Sequence, residues 1–125
     1  YTLMHQTALG KALLSQMSNN RVDQVLDRHG LPAATDRTIT QRDVLFAELN
    51  SVREKGYSIE DEERCEGIKA IAVPLQHEAD NTEEPVSAVS ISGPKRRIST
   101  NNADNALVEA LRDAANVLEL RYKHY

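Results

Sequence analysis

Residues 67–94 have the sequence GIKAIAVPLQHEADNTEEPVSAVSISGP and contain two short runs rich in isoleucine, valine and alanine. The first run is Ile68 to Leu75, the second is Val86 to Ser92, and a polar, acidic segment separates them. Two such runs in close succession predict antiparallel strands joined as a hairpin. We therefore expect the sheet of this protein to be built around this hairpin.

The alternation of side chains predicts that the two faces of the hairpin differ, because successive residues of a strand point to opposite faces. One face, called the bulky face below, carries Lys69, Ile71, Val73, Leu75, Val89 and Ile91. The other, the small face, carries Ile68, Ala70, Ala72, Ala88, Ser90 and Ser92. Small side chains leave volume above a sheet, and two hydroxyls there can hydrogen-bond a polar ligand. On the pattern alone, a solvent-exposed strand is favoured for Ser90 and Ser92, and a binding face is the alternative.

A first helix is predicted to begin at Ala8, because apolar residues recur at helical spacing up to Met17 and Thr7 is a good N-cap. The first amides of this helix, those of Ala8, Leu9 and Gly10, have no partner within the helix and form a potential anion site. Most helix N-termini bind only water, so this feature alone does not define a site. Gly10 weakens a helix, and a close approach by another backbone or by a ligand would explain its presence.

Three further helices and one short strand complete the prediction. We expect helices at Asn20 to His29, at Gln41 to Lys55 with Thr40 as its cap, and at Asn105 to Tyr122, and a strand at Tyr57 to Ile59. Gly30 and Gly56 are predicted C-terminal stops. The last helix carries an apolar stripe and is predicted to cover the bulky face of the sheet.

The acidic run Glu60 to Glu63 has three interpretations: a cation site, an acid/base pair or a solvated loop. We favour the loop, because the spacing is not that of an EF-hand and the sequence fixes no partner near the run. The sequence lacks a nucleophile elbow, a phosphate loop and a dinucleotide motif, and its four histidines have no metal-ligand spacing. It therefore predicts no catalytic residue, no cofactor and no metal site.

Composition limits the remaining function classes. With 125 residues the chain is of single-domain size, and a formal net charge of -4 argues against contact with nucleic acid through its own surface. The one cysteine, Cys65, excludes an internal disulfide and a cysteine cluster for a metal. The sequence has neither an apolar run of membrane-spanning length nor a signal peptide, so we expect a cytoplasmic protein without membrane contact.

Five blocks of the sequence occur in the order and at the separations of one known family. They are residues 5–14 HQTALGKALL, 38–40 TIT, 55–63 KGYSIEDEE, 67–74 GIKAIAVP and 88–94 AVSISGP. Together they resemble the effector-binding domain of IclR-type bacterial and archaeal transcriptional regulators. The resemblance implies an α/β (α+β) domain over residues 1–125, with a GAF- or profilin-like antiparallel sheet flanked by helices and a long C-terminal helix. It also implies N-terminal truncation, since the family's effector domain begins earlier and a winged helix-turn-helix domain precedes it.

The same resemblance implies a function. Family members bind a small metabolite, often a carboxylate or an aromatic acid, and thereby adjust the DNA affinity of the upstream domain, as dimers or tetramers. Carried over by position, the effector site falls on the backbone amides of Ala8 and Leu9 and on Glu60, Ala70, Ser90 and Ser92.

Two positions of that site depart from other family members, which can have aspartate in place of Glu60 and cysteine in place of Ala70. The resemblance therefore does not name the ligand. Glu60 is longer than aspartate and is expected to shrink the pocket or to turn outward. Residues 76–85 are expected to form a surface excursion without a ligand role.

Two other function classes remain open at this point. One is a GAF-like sensor or interaction module attached to another activity. The other is a small enzyme that uses the carboxylates of Glu60 to Glu63. A helix-turn-helix upstream of this chain would distinguish the regulator from both.

Overall fold

The computed structural model describes residues 4–75, 87–98 and 101–124, and these ranges contain five α-helices and three strands. In chain order they are α1 (Ala8–Ser15), α2 (Asn19–His29), α3 (Arg42–Lys55), β1 (Ser58–Asp61), β2 (Ile68–Pro74), β3 (Ala88–Pro94), α4 (Lys95–Ile98) and α5 (Asn101–His124). A single 3-10 turn, Met4–Gln6, precedes α1. The surface excursion expected at residues 76–85 lies outside the described residues.

The three strands form one antiparallel sheet in the order β1-β2-β3. Along β2 and β3, Ala70 stands opposite Ser92, so the predicted hairpin is confirmed. On the other side of β2, Ala70 stands opposite Glu60 of β1. The strand predicted at Tyr57 to Ile59 was wrong at its end, because Glu60 and Asp61 continue the pairing with β2. The expected mixed α+β architecture with an antiparallel sheet is confirmed.

Different helices cover the two faces of the sheet. On the bulky face, Ile71 packs with Ile98 of α4 and Val108 of α5, which confirms the predicted position of the long C-terminal helix. On the small face, α1 lies over the strands. The buried side chains between them are Ala8, Ala12, Ala70 and Ala72. The open volume expected above the two strand alanines is therefore filled by α1, because methyl groups let the helix approach the sheet closely.

The start of α1 has the predicted cap. Thr7 has extended backbone angles, and its Oγ1 accepts a hydrogen bond from the Gly10 amide at 2.9 Å. A β-carbon built on Gly10 would lie 2.2 Å from the carbonyl oxygen of Met4. The close approach expected at Gly10 is thus made by the preceding 3-10 turn, and a larger residue would displace that turn.

The helical layer packs on α1 through a cluster of Leu14, Val22, Leu26, Leu45 and Leu49. The predicted stops at Gly30 and Gly56 are confirmed, and both glycines have positive φ angles. The predicted cap of α3 by Thr40 is wrong, since α3 begins at Arg42 after the N-cap Gln41, which makes no side-chain cap hydrogen bond. Arg42 instead pairs with two aspartates of α2, a tertiary contact that local sequence does not reveal.

The other helix ends differ little from the prediction. α2 begins one residue earlier, at Asn19, because Ser18 accepts a hydrogen bond from the Arg21 amide and so caps the helix. α5 extends beyond both predicted ends, Asn105 and Tyr122. Within the described ranges no helix is long and apolar enough to cross a membrane.

Candidate functional site

The residues expected to bind an effector lie on the small face, at the start of α1. Glu60 of β1, Ala70 of β2 and Ser92 of β3 stand opposite one another and form one line across the sheet. Ser90 belongs to the neighbouring line. Ala8, the first residue of α1, packs in the same cluster as Ala70. The fold thus places these five expected residues near one another, and the Leu9 amide, the sixth expected group, follows Ala8 in the first turn of α1.

The site has an enclosed part and an open part. Ala8 is fully buried, and Ala70 is 5% exposed. Ser90 and Ser92 are exposed on β3, as the strand pattern indicated. Leu9, the sixth expected residue, has a side chain that is 39% exposed. The expected residues therefore combine buried groups at the start of α1 with exposed hydroxyls on β3.

Glu60 lies in the enclosed part and is only 5% exposed. Its Oε1 accepts a hydrogen bond from the Ala8 amide at 3.0 Å. The amide that was expected to bind an anionic ligand is therefore bound by a carboxylate of the chain itself. A carboxylate is stabilised there by the unpaired amide and by the helix dipole. The interpretation of the acidic run as a solvated loop is wrong for Glu60 and also for Glu63, which is 8% exposed.

Burial raises the pKa of the Glu60 carboxyl above its ordinary value. The hydrogen bond from Ala8 opposes this shift, the nearby carboxylate of Glu63 adds to it, and the cations Lys11 and Arg64 reduce it. Glu60 therefore takes up a proton more readily than an exposed glutamate does. Any change that removes the Ala8 hydrogen bond or brings a further negative charge will raise the pKa again.

Lys11 is a residue of this region that the sequence did not indicate. Its side chain is 1% exposed, and its Nζ lies 2.6 Å from Oε1 of Glu63. The same ammonium donates a hydrogen bond to the carbonyl oxygen of Ile59 at 3.0 Å. The signal that could have found Lys11 is its place one helical turn after Ala8, on the face that meets the sheet.

Ser58 was also missed. It is 1% exposed, and its Oγ donates a hydrogen bond to the Ala8 carbonyl oxygen at 2.5 Å. Ser58 stands opposite Ala72, in the same line across the sheet as Ser90. The first residue of α1 is thus bonded to β1 through both its amide and its carbonyl group.

Of the rest of the acidic run, Asp61 ends β1 and Glu62 follows it, and the charges of both are paired. Lys95 Nζ lies 2.8 Å from Asp61 Oδ1 and 2.9 Å from Glu62 Oε1. The hydrogen bonds from Lys95 lower the pKa of both carboxyl groups. Among the residues that the structure describes, no group of three or more histidine, cysteine or acidic side chains is placed to hold a metal ion.

Residues 1–119 match the family model described as the bacterial transcriptional regulator IclR C-terminal domain. The transcriptional repressor IclR of Escherichia coli is 40% identical over 95 residues, which are 76% of this chain and 34% of the repressor. A probable HTH-type transcriptional regulator, ArcR of Halobacterium salinarum, is 30% identical over 118 residues, or 94% of this chain and 44% of the regulator. The chain therefore spans less than half the length of these relatives.

Solved structures agree with the sequence matches. The Thermotoga maritima IclR structure superposes with a TM-score of 0.83 at 30% identity, covering 94% of this chain and 46% of that one. The C-terminal domain of E. coli KdgR gives a TM-score of 0.78 at 34% identity, and the match covers 90% of this chain and 66% of that one. A double mutant of the inducer-binding domain of PobR from Acinetobacter, in complex with 3-hydroxybenzoic acid, gives a TM-score of 0.81 at 28% identity, covering 93% of this chain and 65% of that one.

The family match extends over nearly the whole chain, and the matching solved domains include a double mutant in complex with 3-hydroxybenzoic acid. The resemblance found in the five sequence blocks is confirmed. This chain belongs to the IclR family of transcriptional regulators, and it has the fold of the family's C-terminal, ligand-sensing regulatory domain.

Proposed function

We propose that this domain senses a small carboxylate or aromatic acid on the small face, at the start of α1. The observation that carries the proposal is the Glu60 carboxylate held by the Ala8 amide, because it identifies a buried position whose chemistry suits a carboxylate. The complex of a double mutant of the PobR inducer-binding domain with 3-hydroxybenzoic acid supports the same ligand class for this fold.

In this proposal the ligand carboxylate takes the Ala8 amide, with the neighbouring Leu9 amide, beside Ala70, and displaces Glu60. The exposed hydroxyls of Ser90 and Ser92 hydrogen-bond the polar groups at the other end. In the proposed complex Glu60 stays buried beside the ligand, where burial already raises its pKa; it loses the Ala8 hydrogen bond that opposes this shift and gains a negative neighbour, so it takes up a proton. Binding of an acid is therefore linked to proton uptake, and its affinity rises as the pH falls.

The proposed role is regulatory and not catalytic. A winged helix-turn-helix domain upstream in the same polypeptide would bind DNA, and this domain would change the arrangement of subunits in a dimer or tetramer. The ligand can shift that arrangement only by its different affinities for the two states. A transcriptional regulator acts in the compartment that holds the DNA, so we extend the proposal to a cytoplasmic protein.

The experiment is a thermal-shift screen of the full-length protein with small carboxylates and aromatic acids, including 3-hydroxybenzoate. A ligand at about 100 times its Kd stabilises the native state by about 2.7 kcal/mol, which raises the melting temperature measurably. The double variant Ser90→Ala, Ser92→Ala should lose most of this rise. Ser51→Ala on α3, away from the small face, is the control and should keep it.

Two results would count against the proposal. A melting-temperature rise that is unchanged in the double serine variant would mean that the acid binds elsewhere. DNA binding by the full-length protein that does not change with any acid that shifts its melting temperature would separate ligand binding from regulation.

A further inference from the structure

Lys11 is a buried cation whose ammonium group contacts two acidic side chains and a backbone carbonyl group of the same chain. Its ammonium group pairs with Glu63 at 2.6 Å, donates to the Ile59 carbonyl at 3.0 Å, and lies 4.0 Å from Glu48 of α3. Removing an ammonium group from water costs several kcal/mol, and such a group is retained only where its partners compensate. An apolar residue would fill this helix position at lower cost, so the charge calls for an explanation.

Glu63, the partner of Lys11, is itself held by the surrounding backbone. Its Oε2 accepts a hydrogen bond from the Asp61 amide at 3.0 Å. Its carbonyl oxygen accepts a hydrogen bond from Thr38 Oγ1. The carboxylate is therefore fixed in position by the turn after β1 and by the loop before α3, and it provides Lys11 with an anchored anion.

The Lys11 contacts meet β1 beside the site residue Glu60. The carbonyl group of Ile59 belongs to the peptide that leads into Glu60, and the Glu60 carboxylate is hydrogen-bonded to the Ala8 amide one helical turn before Lys11. We propose that Lys11 and Glu63 are a positioning pair for the effector site. Their ion pair holds the first turn of α1 at a fixed distance from Glu60. This inference rests on the proposed function of that site.

The positioning pair also sets the electrostatic surroundings of Glu60. Charged side chains from two parts of the chain act on that carboxylate: Lys11 of α1, and Glu63 and Arg64 after β1. Lys11 and Arg64 lower the pKa of Glu60, and Glu63 raises it. Removing Lys11 alone and removing the Glu63 charge alone are therefore expected to move the titration of Glu60 in opposite directions.

The test uses carbon-13 NMR to follow the Glu60 carboxyl titration and hydrogen exchange to follow the Ala8 amide. Lys11→Met should raise the pKa of Glu60, and Glu63→Gln should lower it. Exchange of the Ala8 amide should become faster in both variants, on the order of tenfold, because the contact that holds α1 over β1 is loosened. Glu54→Gln, an exposed residue of α3, makes the same change of formal charge and is the control that should change neither quantity.

The double variant Lys11→Met, Glu63→Gln leaves no unpaired buried charge, so it should fold even if Lys11→Met does not. In it the titration of Glu60 should return toward that of the unmodified protein, while Ala8 exchange stays fast. A double variant with unmodified Ala8 exchange would overturn the proposal and leave the pair a purely stabilising role. Neither measurement needs a ligand, so a failed ligand screen and a failed positioning test are separate results.

Discussion

On the bulky face of the sheet, Ile71 contacts Ile98 and Val108, whereas on the small face its neighbour in β2, Ala72, lies among alanines beneath α1. The bulky face buries large apolar side chains, whose stabilisation is non-directional and scales with buried area. On the small face, hydrogen bonds and an ion pair fix α1 to β1. Two of those hydrogen bonds join Glu60 and Ser58 to Ala8.

The difference shows how one sheet can be both a stable core and a sensing surface. Apolar packing tolerates small shifts of a helix, because many positions bury similar areas. Directed bonds define one position of α1, and a ligand that replaces one of those bonds changes that position or its free energy. The bulky face therefore supplies stability, and the small face is where the proposed response to a ligand would arise.

The largest predicted effect tests the bulky face. Ile71→Ala should lower the free energy of unfolding by about 2–5 kcal/mol, because Ile71 is fully buried and a cavity is left beside α5. Urea unfolding measures this loss. The matched variant Ile71→Val should cost only about 0.5–1.5 kcal/mol. In both, the Glu60 titration should stay unchanged, and a changed titration would mean that the two faces are not independent.

The second prediction concerns Ala72, the residue after Ile71 in β2, and a substitution that adds side-chain volume instead of removing it. Ala72→Val should lower the free energy of unfolding by about 1–3 kcal/mol, because the added methyl groups have no space beneath α1. Ala88→Val, at the half-buried end of β3, is the control and should cost less. Equal stability of the Ala72 variant and the unmodified protein would show that α1 can move away from the sheet freely.

Local signals in the sequence predicted much of the fold. Alternation gave the hairpin and the two faces, Thr7 marked the start of α1, and Gly30 and Gly56 marked the ends of α2 and α3. These features depend on contacts between residues near in sequence, or on backbone angles that few residue types adopt. Gly10 also indicated a close backbone approach, although only the structure identifies Met4 as the neighbour.

The candidate site was predicted less completely, because its buried charges depend on distant partners. Four acidic residues in a row are typical of a solvated loop, and nothing local indicates that Glu60 meets the Ala8 amide or that Glu63 meets Lys11. A buried carboxylate is stable only with such partners. The same applies to Arg42, whose aspartate partners lie on another helix.

The third prediction tests the directed bonds of the small face. Ser58→Ala should lower the free energy of unfolding by about 0.5–1.5 kcal/mol, because a buried hydrogen bond to the Ala8 carbonyl is lost. Ser90→Ala, on the same line across the sheet but exposed, is the matched control and should have little effect. If chemical denaturation gave the same loss of unfolding free energy for both variants, the burial of the Ser58 hydrogen bond would make no difference to stability.

The smallest effect at neutral pH, and the one most specific to the small face, is expected from Glu60→Gln. Glutamine keeps an oxygen acceptor for the Ala8 amide but has no charge to bury. Because the pKa of Glu60 is raised in the folded protein, its contribution to stability is fully present below the unfolded-state pKa and is lost as the pH rises through the folded-state pKa. In parallel urea titrations the variant should therefore gain stability relative to the unmodified protein as the pH rises from below the unfolded-state pKa of Glu60 to above its raised folded-state pKa. Glu66→Gln in the exposed turn makes the same change of formal charge and is the control. A stability difference that is independent of pH would mean that the pKa of Glu60 is not raised by folding. The proposed link between proton uptake and binding of an acid would then lose its physical basis.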